Sequence, residues 1–172
     1  MTDAFHSAMQ WILAAEGGYT NDPADRGGET NLGISKRAHP HVDIRTLTIT
    51  KAAEIYRRDY WDRLRCDEMP AGLDLAVFDA GVNQGPTKAA KLLQLAVRVI
   101  PDGIIGPDTL GACHRMIIEA SLPEFLSRRA VDYATAATQS VDHYLRGWMV
   151  RLFRLQIACL RLAARTPPGD RV

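Results

Sequence analysis

The chain has 172 residues, enough for one well-buried core and short for two full domains. Its apolar share of 47% and charged share of 24% are those of an ordinary globule and exclude a disordered chain. A formal net charge of +1 gives no overall pull toward nucleic acid, and no run of about twenty residues lacks charge, so no membrane span is expected.

Three cysteines, Cys66, Cys113 and Cys159, form no close pair, which predicts reduced, buried thiols in place of a disulfide framework. The histidines offer no ligand spacing beyond His39-Pro40-His41, which reads as a surface loop, so no metal site is expected. The first fifteen residues carry Asp3 and no basic segment, so no secretory signal is expected.

The first helix is predicted to start at Thr2 or Asp3, both good caps. Phe5, Met9 and Ile12 fall at i, i+4 and i+7, and Glu16 continues the series at i+11, so its carboxyl projects from the apolar face. Desolvation disfavours the charged form of an acid, and a carboxyl that keeps its proton near neutral pH can serve as a general acid. Gly17 and Gly18 then break the helix beside it. The stretch that follows is dense in Asn, Asp, Pro and Gly, and Thr30 to Ser35 reads as a short strand in a small, poorly formed hairpin lobe.

Thr50 is predicted to cap a helix running to about Leu64, with Tyr56 and Tyr60 stacked at i and i+4. Pro70 opens another with Leu73, Ala76, Val77 and Ala80 on one face, ending at Asn83-Gln84-Gly85. Pro86 starts the next, with Ala89, Leu92, Leu93 and Ala96 inward. Asp102-Gly103 reads as a tight turn and not a calcium loop, because the alternating oxygen ligands are missing. Pro107 opens a helix carrying Leu110, Cys113 and Ile117, and Ser121-Leu122-Pro123-Glu124 reads as a capping box for one reaching about Ala137. Ser140 caps the last, whose stripe is Val141, Leu145, Trp148, Leu152, Leu155, Cys159 and Leu162. Helical signals recur and strand signals are scarce, so the fold class is mainly α with a small, loop-rich β lobe.

Ordered motifs now accumulate. Glu16-Gly17-Gly18-Tyr19 and Asn21-Asp22-Pro23-x-Asp25-x-Gly27-Gly28-x-Thr30-Asn31-x-Gly33-Ile34 are followed by Tyr56-x-x-x-Tyr60-Trp61 and Phe78-Asp79-x-x-Val82-Asn83-x-Gly85. Later come Leu93-Gln94, Asp102-Gly103-x-x-Gly106-Pro107-x-Thr109-Leu110, Arg129 with Tyr133, and Gly147-Trp148 with Arg151. Over about residues 5 to 155 the chain resembles the phage and prophage endolysin muramidases of glycoside hydrolase family 108.

That resemblance implies a lysozyme-like helical body and cleavage of the β-1,4 bond between N-acetylmuramic acid and N-acetylglucosamine in peptidoglycan, with no cofactor and no metal. It implies one catalytic domain over residues 1–165, about 1–84 its catalytic half and about 85–165 a helical half resembling a peptidoglycan-binding region, with 166–172 a tail. Leu73 and Ala80 need the second half as apolar cover, so both halves read as one body. The rival readings are a lytic transglycosylase giving 1,6-anhydro products and a non-catalytic wall-binding module of a phage-like particle. For an endolysin, the partners implied are peptidoglycan and a separate holin, which releases a product made in the bacterial cytoplasm to the wall.

The candidate catalytic residues are Glu16, Asp25 and Thr30. Their spacing is similar to the Glu-x8-Asp-x5-Thr pattern of the family 24 phage lysozymes, with the last gap one residue shorter. Asp22 fits a turn-capping role better, because Pro23 follows it directly. A carboxylate on so long a loop suits an inverting enzyme, whose carboxyls stand roughly 6.5–9.5 Å apart, with Asp25 as base or electrostatic stabiliser and Thr30 holding the water. Tyr19, Asn31, Tyr60, Trp61, Asn83 and Gln84 are the sugar-binding candidates; Tyr19, Tyr60 and Trp61 read equally well as core, and Tyr56 reads as core. The basic and apolar mixture of Arg146, Arg151, Arg154, Arg161 and Arg165 among Trp148, Phe153, Leu155 and Leu160 suits an anionic membrane surface as well as a packed helix.

Overall fold

The computed structural model describes residues 3–15, 19–21, 28–137 and 142–166. Among them seven α-helices and one two-stranded sheet are formed, a mainly-α, lysozyme-like architecture with a small β lobe. Helix α1 spans Asp3–Ala15, β1 Thr30–Asn31, β2 Ile34–Ser35 and α2 Ile49–Tyr56. Then follow α3 (Leu73–Gln84), α4 (Pro86–Ala96), α5 (Pro107–Arg115), α6 (Ile118–Ala137) and α7 (Asp142–Arg165).

Helix α3 is the axis of the body. Residues 73 to 81 are all buried, so it needs apolar cover on every side, and it packs against α1, α4, α6 and α7. Its entry depends on Gly72, which has φ +87° and where any Cβ would collide with the carbonyl oxygen of Cys159 in α7. The Asp74 carboxylate accepts hydrogen bonds from the backbone N–H groups of Gly72 and Leu75, closing the helix start.

Phe5, Ala8, Met9 and Ile12 put one face of α1 into the core, as the helical period requires. Beneath it Phe5, Trp61 and Phe78 meet edge to face, with ring centroids 5.3 to 6.1 Å apart. The same continuous core takes in Leu93 of α4, Phe125 of α6 and Leu155 of α7. Cys66, Cys113 and Cys159 are all buried and free, and burial pushes the Cys113 thiol up to about 12.

The hairpin pairs Thr30 with Ser35 and Asn31 with Ile34 through a two-residue turn whose Leu32 and Gly33 both have positive φ, the backbone of a primed hairpin turn. Two hydrogen bonds fix it to the body. Tyr56 Oη donates to the Leu32 carbonyl at 3.0 Å, and the Asn31 amide donates to the Ile44 carbonyl at 3.1 Å.

Several boundaries depart from the sequence reading. Thr48, not Thr50, caps α2, its hydroxyl accepting from the Lys51 N–H. That helix passes into a π-helical turn over Arg57–Asp62, so an α-helix does not run unbroken to Leu64. Ile117 lies beyond α5 and is exposed, because the helix stops at Arg115. Ser121 is not a cap: α6 has already begun at Ile118, the Ser121 hydroxyl bonds back to the Ile117 carbonyl, and Pro123 sits inside the helix. Ser140 and Val141 lie outside the described residues.

Candidate active site

The last two turns of α1 contribute Trp11 and Ala14 to a groove of about 570 Å³. Asn83 from the end of α3 and Gly147, Trp148, Val150, Arg151 and Arg154 from α7 complete its lining. Positions 147, 150, 151 and 154 follow at i, i+3, i+4 and i+7, so α7 presents one face to the groove.

A buried ionic cluster holds these walls together. Asp79 is fully buried in α3, and its Oδ1 accepts from Trp11 Nε1 at 2.8 Å and from Arg151 Nη2 at 2.7 Å, while Oδ2 accepts from Arg129 Nη2 at 2.8 Å. One carboxylate therefore ties α1, α6 and α7 to α3. Burial pushes the Asp79 carboxyl up, but the Arg129 and Arg151 charges beside it and the bonds from Arg151 and Trp11 outweigh this, holding it below the usual carboxylate range. Arg129, itself buried, also donates to Gln84 Oε1 and to Tyr133 Oη, and Tyr133 stacks on Trp148 with centroids 4.9 Å apart.

The candidate residues divide among these settings. Asn83 is exposed and lines the groove, its amide donating to the Asp79 carbonyl. Gln84 does not line the groove: its amide is spent between Arg129 and Asp132, joining α3 to α6. Trp61 offers no face to a sugar, because the aromatic cluster buries it completely. Tyr60 is half-buried against Tyr56, centroids 5.7 Å apart. Thr30 and Asn31 belong to the hairpin, where the Thr30 hydroxyl donates to the Gly28 carbonyl at 3.3 Å. Tyr19 is 43% exposed and donates to Glu29 Oε1 at 2.9 Å, and that bond, with some burial and the Glu29 charge, raises its phenol. Glu16, Asp22 and Asp25 lie outside the described residues.

Trp11 carries no signal of a role in the sequence, Asp79 and Arg129 stand there only as motif positions, and Arg151 stands as a motif position and as one of the basic residues of the last helix. Their partners lie 50 to 72 positions apart, beyond the reach of any local pattern. Gln94 is a parallel case. It donates to Asp102 Oδ1 and Thr109 Oγ1 and accepts from the Gly103 N–H, so two further motif blocks close one turn. Among the described residues no cluster of His, Cys, Asp or Glu is arranged to hold a metal.

The sequence profile of the family described as Glycosyl hydrolase 108 matches residues 9–85. Among solved structures, SagA of Brucella abortus superposes with a TM-score of 0.80 at 33% sequence identity, over 94% of this chain and 96% of that one. The chain belongs to glycoside hydrolase family 108. It is a glycoside hydrolase of the peptidoglycan-cleaving, muramidase type. A comparison with curated protein sequences returns no significant match.

Proposed function

We propose that this family 108 protein is an N-acetylmuramidase that hydrolyses the β-1,4 bond between N-acetylmuramic acid and N-acetylglucosamine, with Glu16 as the general acid. What supports the reading is membership of family 108 together with the groove of about 570 Å³ that α1, α3 and α7 line. Glu16 protonates the leaving glycosidic oxygen, positive charge develops at the anomeric carbon, and a water adds there as its proton passes to a base. Asp25 is the base or electrostatic stabiliser and Thr30 the water holder in this scheme, which gives inversion. Residues 1–165 act in it as one catalytic body. Synthesis in the cytoplasm of a phage-infected or lysogenic host, release by a separate holin, and lysis of the cell complete the proposal.

The test is Glu16→Gln on purified peptidoglycan. The amide keeps the size of the side chain but cannot deliver a proton, and general acid catalysis contributes about 10²- to 10⁴-fold. A loss in that range with an unchanged circular dichroism spectrum is expected; wild-type turnover would remove Glu16 from the mechanism.

A further inference from the structure

We infer that the α7 face of the groove reads the acidic stem peptide carried by the muramoyl unit, with Arg154 pairing a peptide carboxylate and Gly147 leaving room for the sugar to lie against the helix. This rests on the muramidase reading above for its substrate.

Gly147 is the first observation. It lies inside α7, where glycine weakens a helix, and a Cβ there would meet no atom of the described residues within 4 Å, so packing among them gives no reason for the missing side chain. It does line the groove. A bare helix surface at that point lets a ring approach the backbone.

The charges on the same face are the second. Arg151 is committed to Asp79, whereas Arg154, one turn from Val150 and two from Gly147, is exposed and has no ion pair with another described residue. Trp148, clamped on Tyr133, gives this wall a fixed position. A groove wall with a gap, a rigid aromatic and an outer cation suits a sugar whose substituent is an anion. The muramoyl residue is the sugar of this polymer that bears one, through its lactyl-linked peptide.

The probes are the disaccharide tetrapeptide of peptidoglycan and the same compound with its peptide carboxylates amidated, titrated calorimetrically into the full chain. The wild type is expected to bind the acidic form about two- to fivefold more tightly, the range of a solvent-exposed ion pair, with the difference shrinking at high salt. Arg154→Gln should bind both forms alike, Arg154→Lys should restore most of the preference, and Gly147→Val should weaken both. An unchanged preference in Arg154→Gln, wild-type affinities in a folded Gly147→Val, or no preference in the wild type would each overturn the inference. If the acid preference holds and depends on Arg154 but peptidoglycan is left uncut, the inference stands and the muramidase reading falls.

Discussion

Asp79 has no solvent exposure, and two guanidiniums and an indole surround its carboxylate. Removing one partner of such a buried group leaves the others uncompensated, so Asp79→Asn is expected to cost about 3–5 kcal/mol in urea denaturation. Its folded carboxyl titrates below the unfolded value of about 3.9, so the stability it adds is present above that pH and is lost as pH falls through the folded value. Asp74 works in the opposite direction. Burial outweighs its bonds from Leu75 and Gly72 and pushes it up to about 6, so between about pH 4 and 6 the folded state holds a proton that the unfolded chain has released. Its contribution to stability therefore falls as pH rises across that window. Asp74→Asn, whose amide oxygen can still accept from Gly72 and Leu75, is expected to flatten the urea midpoint between pH 4 and 7; an unchanged slope would assign it to other groups.

Helix α3 depends on close approach as much as on apolar residues. Gly72→Ala places a Cβ against the Cys159 carbonyl and forces a left-handed backbone on an L-residue, so a loss of at least about 2 kcal/mol is expected from thermal or urea unfolding. Pro86 and Pro107 each open the helix predicted for them, whereas Pro70 lies two positions before Gly72, which caps α3 in its place. Ser121-Leu122-Pro123-Glu124 misled because the same four residues are tolerated inside a helix once Ser121, Leu122 and Phe125 are buried. A hairpin lobe was expected, but Thr30 to Ser35 forms two strands around a turn at Leu32 and Gly33 and not one short strand, and the hydrogen bond that seats it comes from Tyr56, 24 positions from Leu32. Trp61 looked like a sugar platform because aromatic composition alone does not reveal which side of a helix faces the core.

At the scale of the molecule, α7 completes the body. Leu155 and Cys159 are fully buried, Ala163 nearly so, and Cys159 is the surface that Gly72 abuts. Truncation after Gln156 deletes the last two and uncovers the start of α3, so the melting temperature should fall by roughly 2–4 °C for each kcal/mol lost. An unchanged melting temperature would mean that the last two turns are not part of the core. Phe153 and Ile157 of the same helix are exposed beside Arg154 and Arg161, so outer-membrane permeabilisation by the full chain and the truncated one tests the membrane-surface reading separately.

Hydrolysis of the muramoyl bond is read from mass spectrometry of the soluble products of purified peptidoglycan. Muropeptides ending in a reducing N-acetylmuramic acid, reducible by borohydride, are the predicted result. Anhydro-muramic ends would make the enzyme a lytic transglycosylase, and an undigested polymer would contradict the claim outright.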